Sequence, residues 1–321
     1  MFHHILVPLD ESLLAECALP HAATLARELG AQVTLLCVLE HRPVAGKIQP
    51  LDPLEWQIIK AEAFAYLNEV RARFEEEGLS VDTALLEGEP AERIIHFARE
   101  NDIDLLIMSS HGQSGLSSWS FGSIGQKAVM RAHVNLMVVR AHRCVPTSLG
   151  GLDYRRLLVP LDGSVRAESV LPVAKRLVRS RGGELLLTRV VVKPEMPRRV
   201  PPTAEEKGLV ERLTDANRRE AAGYLETLTS RLLAEGFEVR SRLLVGEQVD
   251  EVLHEVAERE QVDLVMLCAH GYSGTTKWPF GSTVINFLVY GAAPLFILQD
   301  LKPHEVEPCQ AEVAASQKQG H

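Results

Sequence analysis

The feature that most constrains this chain is an internal repeat. Ile5-Leu6-Val7-Pro8-Leu9-Asp10 returns as Leu157-Leu158-Val159-Pro160-Leu161-Asp162, five identities in six at an offset of 152 residues. His111 to Ser123 returns as His270 to Ser282, eight identities in thirteen at an offset of 159. The second copy therefore carries 7 more residues between its two motifs. A chain of 321 residues holds two copies of about 150 residues each, and units of that size bury cores of their own, so they read as domains and not as solenoid turns. The expected division is a first domain over 1–143, a Pro/Gly/Ser-bearing linker over 144–153, a second domain over 154–301 and a polar tail over 302–321.

Within each copy the hydrophobic period alternates between strand and helix spacing. Strands are expected at Ile5–Leu9, Val33–Leu39, Val81–Leu86, Ile103–Met108 and Leu136–Val139. Their counterparts are Leu157–Leu161, Glu184–Val192, Val239–Val245, Val262–Leu267 and Leu295–Leu298. Between them, Ser12 is placed to cap a helix whose apolar face is Ala18, Ala22, Leu25 and Leu29 and whose stop is Gly30. A long helix ends near Gly78, Ala91, Ile94, Ile95 and Ala98 mark a third, and Ser123–Arg131 a fourth. Alternating βα units predict a mostly parallel sheet with helices on both faces, a doubly wound α/β fold present twice.

Composition removes several functions. Lys and Arg number 34 against 43 Asp and Glu, a net charge of −9, which disfavours nucleic-acid binding driven by phosphate neutralisation. No apolar run approaches the roughly 20 residues of a membrane span, and the start, Met1-Phe2-His3-His4-Ile5, lacks the basic and apolar regions of a signal peptide. The five cysteines show no Cys-x-x-Cys pair and fit a reducing compartment. A cytoplasmic protein without membrane or nucleic-acid partners is expected. The histidines show no metal-ligand spacing, so no metal held by protein ligands alone is expected.

In doubly wound sheets ligands bind beyond the carboxyl ends of the strands, where strand order reverses. Both repeated motifs fall there. A glycine-containing loop running into a helix at Gly122-Ser123 aims backbone N–H groups at an anion, and Gly112 and Gly122 permit close backbone approach. Neither copy has the Gly-Lys-Ser/Thr ending of a P-loop or the Gly-x-Gly-x-x-Gly of a dinucleotide site. GTPase-type hydrolysis and hydride transfer are therefore disfavoured.

With these motifs the chain resembles a tandem universal stress protein. That family carries Gly-x2-Gly-x9-Gly-Ser/Thr after strand four and an Asp at the end of strand one. The corresponding residues are Ser109-x2-Gly112-x9-Gly122-Ser123 and Cys268-x2-Gly271-x9-Gly281-Ser282, each departing from the pattern at its first glycine. The resemblance implies strand order 3-2-1-4-5 in each copy, with the fifth strands pairing across a two-fold-like interface into an intramolecular pseudo-dimer; further homodimerisation is left open. It also implies an ATP site in each copy. In the first, Pro8, Leu9, Asp10 and Val38 would flank the adenosine, Ser109, His111 and Gly112 would line ribose and phosphates, and Gly122 and Ser123 would donate to phosphate. In the second the positions are Pro160, Leu161, Asp162, Val190, Cys268, His270, Gly271, Gly281 and Ser282. Mg²⁺ would accompany ATP if Asp10 or Asp162 acts on the phosphates.

Each residue also has a plainer reading. Asp10 and Asp162 can simply initiate the next helix, His111 and His270 can be turn residues, and Ser123 and Ser282 can be helix N-caps. Trp119, Trp278, Phe121 and Phe280 read as packing anchors of the loop, and Cys268 as a structural thiol. The leading functional expectation is an ATP-binding stress-response protein working by nucleotide-dependent binding or switching. It has no evident base, phosphate-clamping Lys or arginine finger for fast phosphoryl transfer. The alternatives are a nucleotide-free interaction module, favoured by the altered first glycine, and a slow Mg-dependent ATP hydrolase.

Overall fold

The computed structural model describes residues 2–40, 52–111, 125, 127, 131–141, 149–150, 152–194, 203–272 and 279–300. The first copy contributes β1 (His4–Leu9), β2 (Gln32–Leu39), β3 (Val81–Glu87), β4 (Leu105–Ser109) and β5 (Asn135–Val139). The second contributes β6 (Arg156–Pro160), β7 (Glu184–Val192), β8 (Glu238–Gly246), β9 (Leu264–Cys268) and β10 (Leu295–Leu298). All ten form one sheet in the order β3-β2-β1-β4-β5-β10-β9-β6-β7-β8. Every pairing within a copy is parallel, and the seam between copies is antiparallel, with Leu136 opposite Ile297, Met137 opposite Phe296 and Val138 opposite Leu295. The 3-2-1-4-5 order and the fifth-strand junction are those the family resemblance implies. An apolar edge that would otherwise template aggregation is thereby paired inside the chain.

The connecting helices are α1 (Leu13–Glu16), α2 (Ala18–Leu29), α3 (Pro53–Glu76) and α4 (Pro90–Glu100) in the first copy. In the second they are α5 (Val165–Glu168), α6 (Leu171–Arg179), α7 (Ala204–Ala234), α8 (Val249–Arg259) and α9 (Ser282–Tyr290). Ser12 caps α1 by accepting from the Ala15 N–H, and Gly30 ends α2 in the left-handed conformation at φ 66°. The helix expected from Ser12 to Gly30 is in fact broken at Cys17. Pro20 lacks the N–H that would bond the Glu16 carbonyl, and Pro172 interrupts the second copy at the matching place, after Glu168. The helix expected over Ser123–Arg131 lies almost wholly outside the described residues, as do most of the linker and residues 301–321.

Helices cover both faces of the sheet. One core gathers Phe74, Leu19 and Leu25 over alternate strand residues such as Ile5, Val7, Leu35 and Leu187; the other gathers Ile94, Ile95, Leu253 and Phe287 over Leu6, Leu36 and Leu186. The copies are also tied beyond the seam. Phe2 meets Phe296 edge-on at 5.9 Å, and His21 Nδ1 lies 2.7 Å from the Tyr154 hydroxyl. Arg140, buried just past β5, donates to the α9 carbonyls of Phe287 and Leu288 and to that of Ala293. Among the described cysteines, Cys37 and Cys268 are free and Cys17 is disulfide-bonded. No helix among the described residues is long and apolar enough to cross a membrane.

Candidate functional site

In the second copy the chain enters the sheet centrally at β6, moves outward through β7 and β8, then returns to the other side of β6 as β9. The resulting crevice between β6 and β9 opens at the strand carboxyl ends. A cavity of about 490 Å³ lies there. Pro160, Leu161 and Asp162 line it from the end of β6, and Thr188 and Val190 from β7. Cys268 ends β9, Ala269, His270 and Gly271 follow it, and Gly281 to Val284 open α9. All nine residues singled out in the second copy by sequence thus meet around one cavity.

The far wall comes from α8. Val249 and Leu253, with Val190 and Leu267, make an apolar side, and Gln248 and Asp250 stand at the helix start. Asp162 organises a polar part of the lining. Its carboxylate accepts from the Ser164 N–H at 2.9 Å and from the Tyr272 N–H at 2.5 Å. Burial works to raise its pKa, but these bonds and the Ser164 side chain outweigh it, so Asp162 titrates below its ordinary value. A Cβ on Gly271 would collide with the Asp162 carboxylate, which accounts for glycine there.

Gly281 is a different case. It is the N-cap of α9 at φ −71° and ψ 166°, a backbone any residue adopts, and its own N–H is bonded to the Ala269 carbonyl. A Cβ there would sit 3.5 Å from that carbonyl oxygen, an ordinary contact. Neither backbone conformation nor protein packing demands glycine; what a side chain would occupy is the cavity. Ser282 is the first helical residue, not the N-cap, and no side chain caps the helix. The leading N–H groups of α9 lack intrahelical partners, and its first turn holds no acidic residue.

His270 is buried, with Nδ1 2.7 Å from Asp300 Oδ1, and Asp300 Oδ2 lies 3.5 Å from Arg166 Nε of α5. The histidine thus braces the start of the loop against β10 and is more than a turn residue. Cys268 is buried with Ser169 Oγ 3.6 Å from its sulfur, and burial raises its thiol pKa. It is protonated at neutral pH, as the structural reading requires. Phe280 is buried in the core beneath α9, the anchor role expected of it, whereas Trp278 lies outside the described residues.

The first copy repeats part of this arrangement. Asp10 Oδ1 accepts from the Ser12 N–H at 3.2 Å and from the Ser12 hydroxyl at 2.6 Å. Pro8 and Leu9 end β1, and Val38 lies on β2, paired with Leu86 of β3. Ser109 ends β4 and accepts from the His111 N–H at 3.4 Å, while His111 Nδ1 meets the Ser110 hydroxyl at 3.0 Å. Gly112, Gly122, Ser123, Trp119 and Phe121 lie outside the described residues. Three differences from the second copy stand out. Glu11 adopts φ 64° where the second copy has Gly163 at φ 87°. Cys37 stands where the second copy has Arg189, which bridges to Glu220 at 3.1 Å and covers the Tyr224 ring. Without that cation, burial and the neighbouring charges of Glu62 and Asp10 raise the Glu11 pKa, and burial with Glu11 and Asp10 pushes the Cys37 thiol up to about 12. Leu36, paired with Pro8, stands where Thr188 pairs with Pro160.

The family model for the universal stress protein family matches residues 1–140 and, again, 153–297. The chain belongs to that family. Among curated relatives, universal stress protein MJ0531 of Methanocaldococcus jannaschii is 32% identical over 146 residues, covering 44% of this chain and 83% of that protein. Universal stress protein YxiE of Bacillus subtilis is 28% identical over 148 residues, covering 44% of this chain and 100% of that protein. Each relative is thus matched by about half of the tandem chain. The crystal structure of a universal stress protein from Archaeoglobus fulgidus aligns with a TM-score of 0.65 at 19% identity, over 92% of this chain and 98% of that one. That likeness establishes the shared fold across both copies.

For this universal stress protein, what sequence reading missed is the α8 side of the cavity and Thr188. Gln248 and Val249 follow the Gly246-Glu247 pair, whose counterpart Gly88-Glu89 precedes α4, so the repeat itself held a signal for that wall. Thr188 carried none, since a threonine beside Arg189 in a mostly apolar strand marks no ligand contact. No group of three or more His, Cys, Asp or Glu side chains suited to a metal ion occurs among the described residues.

Proposed function

We propose that this universal stress protein binds ATP in its second copy and uses occupancy to stabilise or switch an assembly, without fast turnover. The observation that carries the reading is the convergence of all nine second-copy residues on one cavity with an apolar wall and a helix N-terminus opposite. The fit to a nucleotide is favourable on two counts: Gly281 leaves a cradle that a Cβ would fill, and Thr188 brings a hydroxyl with no hydrogen-bond partner. Val190, Val249 and Leu253 would hold the base, and the leading N–H groups of α9 the phosphates, where the helix dipole favours an anion. Asp162, ionised at neutral pH, would meet those phosphates through Mg²⁺. The described lining contains no Lys or Arg to stabilise a phosphoryl-transfer transition state, which is why the reading is binding.

By position, the first copy would hold the same ligand around Pro8, Leu9, Asp10, Val38, Ser109 and His111. The test is thermal unfolding with Mg-ATP and Mg-GTP, together with mass spectrometry of nucleotide released on denaturation. A ligand at about 100 times its Kd adds roughly 2.7 kcal/mol per site. A rise in Tm with Mg-ATP and little with Mg-GTP is expected. No shift at millimolar Mg-ATP, with no nucleotide released, leaves the interaction-module reading.

A further inference from the structure

Thr188 is wholly buried, and its hydroxyl has no hydrogen-bond partner. A buried hydroxyl that no protein group satisfies costs stability. The fold does not require it: the first copy builds the same strand position, opposite the same proline, with fully buried Leu36. What sets Thr188 apart is its place. It shares a sheet face with Leu186 and Val190 and lines the cavity with Val190, Val249 and Leu253, beside the end of β6, where its carbonyl accepts from the Leu161 N–H at 2.8 Å.

We propose that Thr188 is a specificity-determining residue of the second site, its hydroxyl pairing with the polar edge of the ligand's heteroaromatic base. The inference rests on the nucleotide reading of that cavity and adds a group that tells one base from another. An apolar wall binds any flat ring, whereas a single buried hydroxyl rewards a ring that presents a donor or acceptor in the right place and penalises one that leaves it unpaired. Gly281 and the α9 N–H groups would serve the anion and carry no such preference. Since Leu36 offers no hydrogen bond, the first copy lacks this discrimination, and the two sites differ in selectivity.

The sign of the effect on stability separates this role from a structural one. In the full-length chain, Thr188→Val keeps the shape and deletes the hydroxyl, and Thr188→Ser keeps the hydroxyl. Each protein is titrated with 8-azido-ATP under photolysis, and labelled peptides from residues 153–297 are quantified by mass spectrometry, so the readout belongs to the second copy. Melting is recorded in parallel without nucleotide. A neutral hydrogen bond corresponds to about a three- to tenfold change in affinity. Thr188→Val should raise half-saturation by that factor while melting no lower than wild type, and Thr188→Ser should label like wild type. Unchanged half-saturation in Thr188→Val overturns the inference while leaving the nucleotide site standing. Lower ligand-free melting of Thr188→Val overturns it too, by revealing a structural role for the hydroxyl. Absence of labelling in wild type overturns the nucleotide reading, and this inference with it.

Discussion

Replacing Gly281 by Ala separates protein packing from ligand approach. The backbone at Gly281 is extended at φ −71°, and the added Cβ meets nothing nearer than the Ala269 oxygen at 3.5 Å. An N-cap change from Gly to Ala costs on the order of 1 kcal/mol, offset by about 0.4–1 kcal/mol of lost unfolded-state entropy. The ligand-free Tm should therefore stay within about 3 °C of wild type, at roughly 2–4 °C per kcal/mol for a unit of this size. The methyl group instead occupies the mouth of the α9 N-terminus, where a phosphate would need close backbone approach. We expect at least a tenfold rise in Kd at this site. At an ATP concentration about 100 times the wild-type Kd, the second copy's stabilisation then falls from roughly 2.7 to roughly 1.4 kcal/mol. Differential scanning fluorimetry against ATP concentration reads both quantities, with circular dichroism verifying the fold. Gly281→Val should remove the remainder. A native-like Gly281→Ala chain with the full wild-type shift would refute the placement of phosphate at α9.

Three further outcomes follow from the inter-copy contacts and the asymmetry at strand one. Glu11→Gly relieves a left-handed backbone and the repulsion from Glu62 and Asp10, and should raise stability by about 1 kcal/mol in chemical denaturation; a loss would show that the Glu11 side chain makes a stabilising contact. His21 is buried against Tyr154, and burial lowers its pKa from 6.5 to about 4. The unfolded chain then binds the proton first, so stability is full above about pH 6.5 and falls by up to about 3 kcal/mol as pH drops to 4; His21→Gln should flatten that limb of a pH series of urea melts. Arg140→Met leaves buried carbonyls of α9 without their donor and should cost about 2–4 kcal/mol, with a matching fall in urea midpoint; an unchanged midpoint would mean that water replaces the guanidinium.

The architecture was legible because the strands are nearly uninterrupted apolar runs. Glu184–Val192 and Leu295–Leu298 fall where the pattern places them, and the others shift by one or two residues at their ends. The break at Cys17 was missed, although Pro20 and Pro172 stand at matching places in the two copies. The site was legible where repetition marked it: Asp162, Gly271 and Gly281 lie in the two repeated motifs. Thr188 was not, because its meaning comes from the β6–β7 register and from α8 packing across its face, which bring together residues 60 positions apart. Ser282 reads as a cap by residue type, yet the chain turns one residue earlier and the helix begins at it.

The antiparallel seam of β5 and β10 has a consequence for how the two crevices can diverge. Two identical subunits joined at such a seam are bound by symmetry, and any substitution in one crevice appears in the other. Here the seam joins stretches of a single chain, so Leu36 and Thr188, Cys37 and Arg189, Glu11 and Gly163 differ without disturbing the partner strand. Under the nucleotide reading proposed above, two unlike sites on one sheet would fill at different concentrations or with different molecules. On that reading a single polypeptide would register two chemical inputs where a symmetric pair would register one twice.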